Sequence, residues 1–220
     1  MIMYLIQNRF NIDFINLIFI FISYALIILV ALPVHELAHA FTADRMGDST
    51  ARWNGRLTMN PFAHLDLIGT IMIFVFGFGY AKPVPVNPRN FKNYKAGMFL
   101  TSFAGPASNL VMAFLSLLIL RIVLLLNPVA IVIIIMTIFL RQFALINITL
   151  AVFNLLPIPP LDGFRIISNF LSSKIVYYIE QYQWYITMGL FLLIATRGLS
   201  GFLSVITFYI YNFFSIILNF

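Results

Sequence analysis

The chain has 220 residues, of which 62% are hydrophobic and 9% charged, whereas about a quarter of the residues in a soluble domain carry charge. Its net charge of +6 is dispersed between apolar segments without any basic run, a distribution that suits membrane topology and excludes a nucleic-acid partner. There is no cysteine, hence no disulfide and no thiolate ligand, and any bound metal must take His, Asp or Glu.

Apolar stretches at 12–32, 97–120, 128–156, 181–197 and 199–218 approach or exceed the ~20 residues that span a hydrocarbon core, and a shorter one occupies 66–80. The expected fold is therefore an all-α integral membrane protein: about five transmembrane helices, one re-entrant or short segment, and small β or loop elements near the membrane face. These stretches fill most of the chain, so 1–220 reads as one polytopic domain with its working parts within or against the bilayer.

The first stretch begins with only Arg9 against Asp13 and runs straight into polar residues, which makes it a retained helix and not a signal peptide. It should start near Asn11 or Asp13, kink at Pro33 and end near Met46, where Gly47 can adopt a left-handed conformation. Residues 48–64 and 81–95 are polar and hold Pro61, Pro83, Pro85 and Pro88. Their alternating pieces, Arg56-Leu57-Thr58-Met59 and Val84-Pro85-Val86, read as loops or short edge strands.

Segment 66–80 decides the topology. If it dips and returns, Arg45, Arg52, Arg56, Lys82, Arg89, Lys92, Lys95, Arg165 and Lys174 share one side, which the positive-inside rule makes cytoplasmic, and Arg9, Arg121 and Arg197 face out. If it crosses, that bias largely disappears. Further on, Ala104, Gly105, Ala107 and Ser108 allow close helix approach in lipid. The last two stretches, joined by Arg197-Gly198, form a helical hairpin over 181–218 that serves as scaffold.

The chemistry lies in His35-Glu36-Leu37-Ala38-His39, an HExxH motif on a helix. Side chains four apart share a face, so two imidazoles converge on one ion while Glu36 reaches a water at that ion. Zinc lowers the pKa of such a water toward ~7 and polarises a carbonyl, with the glutamate as base. Shuffling this composition would produce the motif roughly 2 times in 10,000, so accident explains it poorly.

A catalytic zinc of this type has three protein ligands and an open position. Outside the motif the candidates are Asp13, Asp44, Asp48, Asp66, Asp162, Glu180 and His64. Asp162 follows a long apolar helix in Asn154-Leu155-Leu156-Pro157-Ile158-Pro159-Pro160-Leu161-Asp162-Gly163, where the prolines forbid regular helix and could aim a carboxylate inward. The same unwound backbone could pair with an extended peptide as an added strand. Spacing alone leaves the choice open.

HExxH late in an early membrane helix, followed by this Asn-to-Gly run after a later one, resembles the site-2 protease family of intramembrane metalloproteases. The resemblance covers about residues 30–172 and includes Ala104-Gly105-Pro106-Ala107-Ser108-Asn109. It implies a three-helix core, one zinc ion on His35, His39 and Asp162, Glu36 as base, and Asn154 near the oxyanion or the substrate backbone. Asn109 would assist there. It also implies a compact bacterial member without a PDZ-like or nucleotide-sensing segment. His64, in Asn60-Pro61-Phe62-Ala63-His64-Leu65-Asp66, reads either as a gating, substrate-contacting or second-metal residue or as a helix cap at the interface.

The function expected is zinc-dependent hydrolysis of peptide bonds in transmembrane or membrane-associated proteins, by a multi-pass protein of the cell membrane with its site toward the cytoplasm. Two other readings compete. A non-catalytic scaffold or metal-handling protein would keep the zinc for structure, but such sites usually have four protein ligands and no base. A prenyl-protein type of HExxH protease would need a glutamate ligand, and only Glu180 remains for that, without a supporting motif.

Overall fold

The structure is a computed structural model that describes residues 14–76 and 79–220. Arg9 and the expected helix start at Asn11 or Asp13 lie outside them. Among the described residues the chain is helical with no strand: the alternating pieces 56–59 and 84–86 form none, and an isolated antiparallel bridge joins Leu65 to Ala81. Its contacts divide it into two compact units, one ending at Gly105 and the other beginning at Pro106.

The first unit opens with α1 (Phe14–Leu26), a π-helical turn (Ile27–Ala31) and α2 (Leu32–Arg45). Pro33 has no N–H, and its ring cannot sit against the carbonyl four residues back. The chain absorbs this in the wide turn just before the proline, where the Leu32 N–H reaches back to the Ile27 carbonyl. The expected kink thus takes the form of a π turn one helical turn ahead of His35. After α2, Gly47 stands at φ +113, as expected of the residue that ends the helix.

Short helices α3 (Thr50–Trp53) and α4 (Pro61–His64) come next, the latter capped by the Asn60 side chain, which accepts from the Phe62 N–H at 3.1 Å. Helix α5 (Leu67–Phe76) has 10 residues and rises only ~15 Å, half of a hydrocarbon core of ~30 Å. Its flanks lie side by side, because the Lys82 N–H donates to the His64 carbonyl at 2.7 Å and Leu65 bridges Ala81. The segment therefore leaves and returns at one face, as the dip reading requires.

Beyond the dip the backbone is extended, with Val84 and Val86 packed against Ala40, Ala51 and Leu57. Asp48 ties this region together from full burial: it accepts from the Asn87 N–H at 2.7 Å, the Asn90 side chain at 2.8 Å, and the N–H and hydroxyl of Thr50. Burial alone would push this carboxyl up, but the hydrogen bonds outweigh it and hold the group below the usual carboxylate range.

Helix α6 (Tyr94–Leu126) begins in the first unit and continues through the second. Within the second, Ala113 and Leu117 of α6 form a buried cluster with Ala144, Ile148 and Val152 of α7 (Ala130–Asn154), and the Ser116 hydroxyl donates to the Leu140 carbonyl at 2.8 Å. An unwound stretch leads to α8 (Asp162–Ser168) and α9 (Ser173–Gln181), then the hairpin of α10 (Gln183–Ala195) and α11 (Ser200–Ile217). Arg197, at φ +59, makes the turn of that hairpin.

Among the described residues, four helices are long and apolar enough to cross a membrane: Phe21–Arg45, Tyr94–Leu126, Ala130–Asn154 and Ser200–Ile217. The fifth expected span, α10, has 13 residues and rises ~20 Å, less than a full crossing. Exposed apolar side chains such as Leu115, Ile119, Ile131, Ile134 and Ile138 suit lipid as the surrounding solvent. Arg141 sits midway along α7 on an exposed face and so contributes to neither side's charge.

Candidate metal centre

The one-turn spacing of His35 and His39 brings their Nε2 atoms to 3.0 Å, with the rings edge to face and both side chains buried. Two nitrogens bound to one tetrahedral zinc at 2.0–2.1 Å would lie about 3.3 Å apart, so the pair stands close to ligand spacing. The Nδ1 of His39 is 2.7 Å from the Thr101 carbonyl oxygen. A carbonyl only accepts, so this Nδ1 carries the proton and Nε2 keeps its lone pair, the tautomer that a metal needs.

Gly105 keeps the space beside them open. A Cβ built there would fall 2.6 Å from the His35 Nε2 and closer still to the His39 Nε2. The small residues anticipated in α6 for helix packing thus include one whose missing side chain makes room at the ring nitrogens. Glu36 is half-buried, and its Oε2 accepts from the Val84 N–H at 3.2 Å.

In the second unit, the prolines after α7 end the helix at Asn154, and Leu161 stands extended before α8, whose first residue is the buried Asp162. Gly163 lets the chain double back here, since a Cβ on it would strike the carbonyl oxygens of Leu155 and Leu156. Leu156 and Leu161 are pinned by Leu190, with Ile158, Ile194 and Leu199 packed around them, so α10 supports the stretch that carries the aspartate.

Among the described residues, His35 and His39 of the first unit and Asp162 of the second each offer one ligand atom of a kind that could hold a metal ion. Two imidazoles and one carboxylate, with no thiolate, are a donor set that zinc accepts with a coordination position to spare. The residues present fit the ion.

Residues 123–196 match the model of peptidase family M50. That span holds Asn154 to Gly163, whereas the HExxH motif lies before it. Over 150 residues the chain is 45% identical to YwhC of Bacillus subtilis, a candidate zinc metalloprotease by its name, covering 67% of this chain and 68% of that one. The chain belongs to the site-2 protease family. Rip2 of Mycobacterium tuberculosis, named in the same way, is 37% identical over 150 residues, which span 66% of this chain and 56% of the relative. Rip2 of Mycolicibacterium smegmatis is 32% identical over 154 residues, again 56% of the relative. No solved structure matches. The protease is accordingly an intramembrane zinc metalloprotease, a multi-pass membrane protein whose metal is zinc, and a purely structural zinc site is not favoured.

The remaining residues singled out from the sequence have separate settings. Asn109 is fully buried and donates to the Asn147 Oδ1 at 3.2 Å, while Asn147 donates to the Phe143 carbonyl at 2.9 Å. Asn154, at the end of α7, donates to the Leu150 carbonyl of its own helix at 2.9 Å. His64 is fully buried with Nε2 2.8 Å from the Thr58 carbonyl. Thr101, Asn147 and Arg56 carry no motif and escape sequence reasoning, because each acts through a contact between distant parts of the chain. An asparagine within an apolar helix was the one available signal for Asn147.

Proposed function

We propose that the protease cuts transmembrane or membrane-associated proteins at a zinc ion held by His35, His39 and Asp162, with Glu36 as the general base. The observation that carries this reading is the buried His35–His39 pair of the first unit, its Nε2 atoms 3.0 Å apart and the space beside them kept open by Gly105. Zinc, when bound, supplies Lewis acidity for the scissile carbonyl and makes water a nucleophile near neutral pH. Glu36, next to His35 on the helix, accepts the proton of the attacking water and returns it to the leaving amine. The Val84 N–H holds Oε2 and leaves Oε1 for that exchange. Asn154 and Asn109 would bind the oxyanion or the substrate backbone. His64, buried at the foot of the dip, would hold the loop that borders the site.

The whole of 1–220 acts in this reading as one catalytic domain of the cell membrane. The basic residues of the loops beside the dip argue for a site on the cytoplasmic side.

Metal analysis and cleavage of a helical membrane peptide, on wild type, Glu36→Gln and Asp162→Ala, test the proposal. Glu36→Gln should keep its zinc and lose at least about 100-fold in kcat, and Asp162→Ala should lose the zinc. A zinc-loaded Glu36→Gln protein as active as wild type would overturn it.

A further inference from the structure

Arg56 is buried, yet its guanidinium faces no carboxylate at hydrogen-bond distance. Its Nη2 donates instead to two consecutive backbone carbonyls, those of Lys82 and, at 3.2 Å, Pro83. The next residue, Val84, lies between two prolines and so owns the single N–H of residues 83–85, and that N–H donates to the Glu36 Oε2. Burial pulls the Arg56 guanidinium down and the negative charge of Glu36 acts against that pull, so the cation and the carboxylate share one electrostatic neighbourhood.

We propose that Arg56 is a positioning residue for Glu36: it clamps the Lys82-Pro83-Val84 backbone, and that strap orients the carboxylate through the Val84 N–H. The strap is well suited to the task. Pro83 and Pro85 remove most of its freedom, the Lys82 N–H is fixed on the His64 carbonyl at 2.7 Å, and the Val84 side chain is seated against Ala40 and Ala51. What remains to be set is the register of the two carbonyls, and two hydrogen bonds from one planar group set it. Arg56 touches neither ring of the HExxH pair, so its effect falls on the base and not on metal affinity.

This inference rests on Glu36 being the base. Its test is kinetic, with the zinc-loaded protein and a helical membrane peptide in detergent, and Glu36→Gln as reference. Arg56→Met should lower kcat about 10- to 100-fold with KM and zinc content within about twofold of wild type, the scale expected when a catalytic group is misplaced by about an ångström. Val84→Pro removes the N–H donor along with the Val side chain and should do the same. Val84→Ala keeps the N–H and should fall at least about fivefold less, and Arg56→Met/Val84→Pro should be no worse than the poorer single variant, as for groups acting through one path. The chain has no cysteine, so Val84→Cys gives a single thiol, which maleimide should label at least about tenfold faster once Arg56→Met is added. Equal kcat for Val84→Pro and Val84→Ala, zinc loss from folded Arg56→Met, or equal labelling rates would overturn the inference. If Arg56→Met does not fold, the Val84 pair decides it. A fully active Glu36→Gln would instead overturn the reading of Glu36 and so mark a different failure.

Discussion

The Nδ1 of His39 lies 2.7 Å from the carbonyl oxygen of Thr101, a residue 62 positions along the chain. One backbone acceptor on α6 fixes the tautomer of His39 on α2, and one turn further along α6 the missing side chain of Gly105 leaves room at both ring nitrogens. Helix α6 thus shapes the histidine side of the centre without supplying a ligand from Thr101 or Gly105.

Gly105→Ala should therefore remove zinc while leaving the fold intact. Its methyl would press on the two Nε2 atoms, and displacing the orientation of ligands typically costs 10- to 100-fold in metal affinity. Zinc titration together with circular dichroism checks this. An unchanged zinc affinity would mean that the rings do not occupy the space beside Gly105.

Asp48 gives the loops a pH dependence. Its carboxyl is held below its unfolded value of 3.8 in the folded protein, so its contribution to stability is fully present above that value and is lost as pH falls through the lower, folded one. Asp48→Asn turns an acceptor toward donors that it cannot all satisfy and should cost ~2 kcal/mol at neutral pH. The gap between wild type and variant should narrow in acid below 3.8. Thermal unfolding in detergent from pH 7 down to about pH 3 measures it.

The dip makes a claim about sides. Single cysteines at Met59 and Arg89, both exposed and flanking 66–80, should react with an impermeant maleimide from the same face, and one at Val129, beyond the α6 crossing, from the other. A cytoplasmic site further requires the first two to be labelled only after the cells are opened. Labelling of 59 and 89 from opposite faces would turn the dip into a crossing.

The sequence made legible what depends on local periodicity. HExxH is a one-turn pattern, so spacing alone brings the His35 and His39 rings together, and Gly47 marked the end of the helix by its conformational freedom. Asp162 was different. Spacing left it among several acids, and only the likeness of its proline-rich run to a known family raised it, because nothing local singles out one acid as a ligand. Thr101, Asn147 and Arg56 act through backbone carbonyls or a buried amide partner far away in sequence, and such contacts have no periodic signature. Helix α10 is shorter than the largely apolar stretch 181–197 for a related reason: Tyr182 interrupts the helix, and composition does not register a break.

Zinc-edge X-ray absorption on the purified protease, wild type against Asp162→Ala at equal protein concentration, bears most directly on the centre. The account predicts a wild-type zinc shell of two imidazole nitrogens and light oxygen donors at about 2.0–2.2 Å, and loss of the ion or of one oxygen in the variant. An identical, fully occupied shell in both proteins would contradict it.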